Sequence, residues 1–193
     1  MRRGFLGTVV IVIMLVGSAS PVRAASVSII DYAFTPNLVK IAQGDTVSWT
    51  NDGDVGHTST QDGPLALWHS GAIAPGASSS VTLPAAGTYA YHCNVHVGIM
   101  TGTVRVPLIV DQTTGTTATI FTFTLASETQ YGYVHDVQKK RLGRWHDWKT
   151  GVVGPTVEFQ AVAAGTVRFR SRLHRSSDDA VSGWSPRATI VVS

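Results

Sequence analysis

Beyond residue 25 the apolar positions of this 193-residue chain fall in short runs, alternating with polar residues or rich in β-branched ones, and Gly, Pro, Asn and Asp interrupt them. No stretch there keeps a period of 3.6, so the pattern predicts strands and an all-β chain. The first series of predicted strands covers residues 26–30, 38–41, 46–50, 67–70, 79–83, 88–93 and 102–106. A second series covers 118–125, 131–138, 144–148, 156–160, 166–174 and 188–192. Between them the polar, Thr- and Gly-rich run DQTTGTT at 111–117 reads as part of a linker spanning 108–117. Two β-sandwiches, over residues 25–107 and 118–193, fit this spacing.

Residues 1–24 follow a different pattern. Arg2-Arg3, an apolar stretch from Phe5 to Val16 and a small, polar end at Val22-Arg23-Ala24 have the three parts of a secretory signal, with cleavage expected after Ala24. The apolar stretch would make about 18 Å of helix, short of a roughly 30 Å hydrocarbon core. A secreted or periplasmic location is therefore expected, with membrane contact only if the leader is retained. The leader also explains the charge. The formal net charge is +3, but three of the 15 basic residues (Arg2, Arg3, Arg23) lie there without an acid, leaving 12 bases against 12 acids. A neutral remainder argues against nucleic acid as a partner. Residues 25–107 hold two bases and five acids, whereas 108–193 hold ten bases and seven acids. With 44% hydrophobic and 14% charged residues the chain is no disordered tract, and one cysteine excludes a disulfide framework. Outside the cytoplasm a lone thiol is an oxidation liability, so Cys93 needs a function.

That function is suggested by its neighbours. Cys93, His96 and Met100 lie in one eight-residue run, CNVHVGIM, and His57 stands on a distant connection. A thiolate, two imidazoles and a thioether are the donor set of a mononuclear electron-transfer copper site. Zinc competes on ligand type, but Met is a poor zinc ligand, and a structural zinc site would recruit more Cys or His. A strand ending at Cys93 and followed by a short loop can aim the three nearby side chains at one point. Strand alternation turns Tyr89, Tyr91 and Cys93 inward and Thr88, Ala90 and His92 outward.

The segment from Tyr32 to Val106 resembles a cupredoxin, closest to the plastocyanin, amicyanin and pseudoazurin group. The resemblance is carried by Phe34-Thr35-Pro36, by Val39, Ile41, Gly44-Asp45, Val47, Trp49 and Asn51, and by His57. It continues through Trp68-His69-Ser70-Gly71, Pro75-Gly76, the run from Gly87 to Cys93 and the run from Met100 to Val104. It implies a Greek-key β-sandwich with one type 1 (blue) copper at one end, used for one-electron transfer to redox partner proteins rather than for catalysis. Position by position it makes His57, Cys93 and His96 strong ligands and Met100 the weak axial one, with His96 nearest solvent. The loop from His96 to Met100 is intermediate in length between those of amicyanins and plastocyanins, and Val95 stands where those proteins commonly carry Pro. Val, unlike Pro, has an amide N–H. The amides of Val95 and Thr58 are both expected to donate to the Cys93 sulfur, which would favour the reduced ion.

Other readings stay beside this one. A copper-binding or delivery protein would use the same ligands with easier metal loss, and a subunit of a copper oxidoreductase would share a second copper at His92. His92 itself reads as an outward strand residue, His69 as a rim residue, Trp49 and Trp68 as packing residues, and His135, His146 and His174 as surface. Asp52, Asp54 and Asp62, which flank His57, are solvated loop acids or a negative rim that steers a basic partner. Residues 118–193 more weakly resemble a fibronectin type III or immunoglobulin-like sandwich, through Trp145-His146-Asp147-Trp148, the strand from Gly165 to Arg172 and Ser182-Gly183-Trp184-Ser185-Pro186. Arg168, Arg170 and Arg172 give that strand one basic face. It is either simply solvated or a contact for an acidic partner, the first half or an anionic cell-wall polymer.

Overall fold

A computed structural model describes residues 24–193, so the leader up to residue 23 lies outside the described residues. The first sandwich is built from β1 (Ala24–Ile30), β2 (Ala33–Thr35), β3 (Leu38–Lys40), β4 (Thr46–Asn51), β5 (Thr60–Gln61), β6 (Ser78–Thr82), β7 (Gly87–His92) and β8 (Thr101–Val106). One sheet has the order β2-β1-β4-β6 and the other β3-β8-β7-β5. Antiparallel pairing prevails in both, but β1 runs parallel to β4 and β3 parallel to β8. Alternation sets what lies between the sheets: Val47, Trp49 and Asn51 on β4 and Tyr89 and Tyr91 on β7 are buried, while their neighbours are partly or fully exposed. Trp49 packs edge-on to Tyr91 and stacks on Trp68, and Phe34 meets Tyr91 edge-on, so both tryptophans serve the core. Gly102 faces Tyr91 across the β7–β8 ladder, and a Cβ there would overlap the tyrosine ring.

The second sandwich comprises β9 (Ile109–Val110), β10 (Thr114–Gly115), β11 (Ile120–Thr124), β12 (Tyr133–Arg141), β13 (Arg144–Val152), β14 (Thr156–Gln160), β15 (Gly165–Arg175) and β16 (Ala188–Val192). Its sheets have the orders β10-β16-β15-β12-β13 and β14-β11-β9. Phe123, Trp148, Phe159 and Phe169 form its aromatic centre, with ring centroids 4.5 Å apart for Phe123–Phe169 and 5.2 Å for Trp148–Phe169. Residues 108–117, expected as a linker, are tied into this sandwich: β9 pairs with β11 and β10 with β16. The run from Asp111 to Thr117 has no apolar side chain to pattern, but the backbone of Ile109–Val110 and of Thr114–Gly115 still completes two sheet edges.

The sandwiches share a packed boundary. Leu65 and Ala85 of the first are buried together with Ala126, Leu173 and Ala180 of the second. The amides of Thr88 and Gly183 donate to each other's carbonyls at 2.9 and 3.0 Å, Ala86 N donates to Leu125 O at 2.8 Å, and Thr88 Oγ1 donates to the carbonyl of Trp184. The Gln43 amide bridges the carbonyls of Pro107 and Thr124, and the Arg175 guanidinium caps those of Pro64 and Leu65. This boundary meets the start of β7, and Cys93 follows its other end. The predicted strand at 67–70 forms only an isolated bridge, Thr60 to His69. Among the described residues no helix is long and apolar enough to cross a membrane.

Candidate metal centre

The site is assembled where β7 runs out into a tight loop. The Cys93 amide donates to the Met100 carbonyl at 3.0 Å, which closes the loop. Within it His96 N donates to Cys93 O at 3.1 Å, and the His96 carbonyl accepts from the amides of Ile99 and Met100. Gly98 makes the reversal with φ of +84°, a conformation that strains residues with a Cβ. His57 arrives from the connection between β4 and β5. It exchanges both backbone hydrogen bonds with Ile73, and the buried Asn51 amide secures that connection through the carbonyls of Val55 and Ile73.

These supports bring three donor atoms together. Cys93 Sγ lies 3.8 Å from His57 Nδ1 and 3.6 Å from His96 Nδ1, and the three ligand atoms all fall within 4.8 Å of one another. Bonds of about 2.3 Å to sulfur and about 2.0–2.1 Å to nitrogen, opened to roughly 120°, separate S and N by about 3.8 Å. The trio therefore has the spacing of ligands around one small ion. Cys93 and His57 are inaccessible, and His96 is partly exposed. Met100 is also inaccessible and belongs to the same core cluster as Cys93. Burial, then the neighbouring His96, pulls the His57 pKa down against the opposing pull of Asp31, which favours the neutral imidazole a metal needs. Soft sulfur with imidazole nitrogen suits copper.

Of the two amides expected to donate to the sulfur, that of Thr58 does so at 3.3 Å. No such bond from the Val95 amide is found among the described residues, and Val95 is 60% exposed. The Thr58 hydroxyl adds an unforeseen role, accepting from the Asn94 amide at 2.8 Å and so tying the two ligand-bearing segments together. His92 is partly buried and hydrogen-bonded to Asp62 through Nδ1. His69 is exposed and bonded to Thr60. His135, expected at the surface, is instead buried in β12, and His174 is engaged by Asp136 and Asp179. Asp31, which the sequence marked only as one acid among five, approaches His57, and Tyr32 packs edge-on to the His96 ring at 4.7 Å.

Comparison with known proteins finds relatives of the first sandwich. The family of copper binding proteins, plastocyanin/azurin family, matches residues 23–107. Plastocyanin of Scenedesmus fuscus is 37% identical over 83 residues, covering 38% of this chain and 85% of the relative. Among solved structures, a purple cupredoxin from Nitrosopumilus maritimus is 26% identical, with a TM-score of 0.40, over 42% of this chain and 98% of that one. A reduced amicyanin variant is 28% identical, with a TM-score of 0.41, over 43% of this chain and 81% of that one. The fold and donor set define a copper-binding β-sandwich protein. The chain belongs to the plastocyanin/azurin family through its first sandwich.

Proposed function

We propose that this protein is an extracytoplasmic blue-copper electron carrier, with His57, Cys93 and His96 holding one copper ion and Met100 as its weak axial ligand. The observation that carries this reading is the convergence of one thiolate and two imidazole Nδ1 atoms at 3.6–3.8 Å in a buried end of the sandwich. Bound copper supplies a one-electron couple. The chain's part is to hold the donors, exclude water from Cys93 and His57, and keep His96 within reach of a partner. Ligand segments tied by Thr58 and by the Cys93–Met100 backbone bond resist rearrangement when the charge changes, which suits rapid transfer. Around His96 the exposed Tyr32, Val95, Val97 and Ile99 form an apolar collar suited to brief docking by a redox partner protein. The leader pattern supports a location outside the cytoplasm, and the second sandwich serves as an accessory module of the fibronectin type III or immunoglobulin-like kind.

The test is metal content and an optical spectrum of the copper-loaded protein, followed by voltammetry. One copper per chain, an intense thiolate-to-copper absorption that Cys93→Ser abolishes, and a reversible couple are expected. Ready loss of copper to a chelator with a poorly reversible couple would favour copper delivery instead. A second copper lost in His92→Ala would favour an oxidoreductase subunit.

A further inference from the structure

A histidine that binds metal through Nδ1 carries its proton on Nε2, and that N–H normally finds an acceptor which fixes the ring and raises its basicity. In this protein His57 Nε2 is buried and has no hydrogen-bond partner. The group poised to serve it is the Asp31 carboxylate, whose Oδ1 lies 3.8 Å away. Its placement is built into the fold. The parallel pairing of β1 with β4 aligns Ile29 with Asn51, and Asp52 N donates to Ile29 O at 2.9 Å, which lays the turn after β1 along the connection leading to His57. Asp31 Oδ1 accepts from the Asp54 amide at 3.3 Å. Gly53 leaves the space that the carboxylate occupies, since a Cβ there would overlap Asp31 Oδ1. The next residue, Tyr32, takes φ of +68° and sets its ring against His96. Adjacent residues of one turn thus address the two imidazoles separately.

Building on the copper reading above, we propose that Asp31 is a positioning residue for the metal centre. It accepts a hydrogen bond from His57 Nε2–H in the loaded protein and, through its negative charge, favours the oxidised ion over the reduced one. No proton or electron is transferred in this role. The carboxylate is 41% exposed, so its field is partly screened by water and salt.

The experiment compares wild type with Asp31→Asn, Asp31→Ala and Gly53→Ala, each loaded with copper alone. Asp31→Asn keeps an acceptor and removes the charge, so the midpoint potential is expected to rise with the absorption spectrum retained, and the rise should shrink as salt is added. Asp31→Ala removes both, and Cu(II) affinity should fall about ten- to a hundredfold, the range seen when such partners of metal-binding histidines are lost, with Cu(I) affinity falling less. Gly53→Ala displaces the carboxylate without deleting it and should move the potential in the same direction. Unchanged potentials and Cu(II) affinities in variants that keep the wild-type spectrum would overturn the role of Asp31. Absence of a Cys93-dependent spectrum in the wild type would overturn the copper reading itself. If Asp31→Ala does not fold, Asp31→Asn and Gly53→Ala still decide the matter.

Discussion

Each sandwich buries one imidazole among the described residues, and the two have opposite surroundings. His57 is inaccessible and faces a sulfur at 3.8 Å and a second imidazole whose ring centroid lies 4.9 Å away. His135 is 2% exposed, has no partner for Nδ1, and burial pushes its pKa down to about 4 despite the adjacent Asp136. Burial lowers the proton affinity of both, so a neutral buried imidazole is not by itself a ligand. The difference lies in the backbone that carries each ring. His57 sits on a connection whose course is set by Asn51 and Ile73, which can aim it at donors from another loop. His135 lies in β12 between β13 and β15, where the ladder fixes its direction, and it joins no group of metal-ligating side chains among the described residues.

The comparison is broken most directly by exchanging the effects of the two residues. His57→Ala is expected to abolish the copper-dependent visible absorption, whereas His135→Leu should leave copper stoichiometry and spectrum as in wild type. Loss of copper from His135→Leu would overturn the distinction. The next largest effect is on stability. Phe169→Ala removes a fully buried ring that touches Phe123, Trp148 and Phe159, at a cost of about 3–5 kcal/mol. Because of the shared boundary, the copper absorption and tryptophan fluorescence should be lost in one denaturant transition, and two separated transitions would show that the sandwiches unfold independently.

Acid sharpens the contrast further. The unfolded His135 imidazole takes a proton near 6.5, the folded one only near about 4. Below 6.5 the unfolded state therefore binds the proton first, and stability present above 6.5 is lost as the pH falls towards 4. The loss is up to about 3 kcal/mol. In apoprotein denaturation curves His135→Leu should flatten this part of the profile, and an unaltered slope would assign the acid sensitivity elsewhere. The smallest expected effect is at the boundary: Thr88→Val removes the hydroxyl that donates to the Trp184 carbonyl at 2.8 Å, costing about 1 kcal/mol in the same curves.

Much of this was legible because strand alternation and ligand chemistry are both local. Thr156–Gln160 and Ala188–Val192 fall where the alternating pattern puts them, and Tyr89 and Tyr91 on β7 and Cys93 just past its end are all buried. The donor trio was readable from residue type and from the three-residue step between Cys93 and His96. What escaped depends on pairing across the chain. Ala33–Thr35 and Thr60–Gln61 are too short to show a period, and Ile109–Val110 and Thr114–Gly115 exist because β11 and β16 offer them an edge. His135 carries no local sign of burial, since Lys139 and Lys140 follow it on the same strand. Asp31 becomes visible only once the register of Ile29 with Asn51 is known, because that pairing carries the turn to His57.

The second sandwich grips the beginning of β7 at Thr88, whereas the thiol sits just past the far end of that strand. At about 3.3 Å per residue, the span from Thr88 to Cys93 is roughly 17 Å. The second sandwich thus holds β7 at the end away from the thiol, and Tyr32, Val95, Val97 and Ile99 stay exposed.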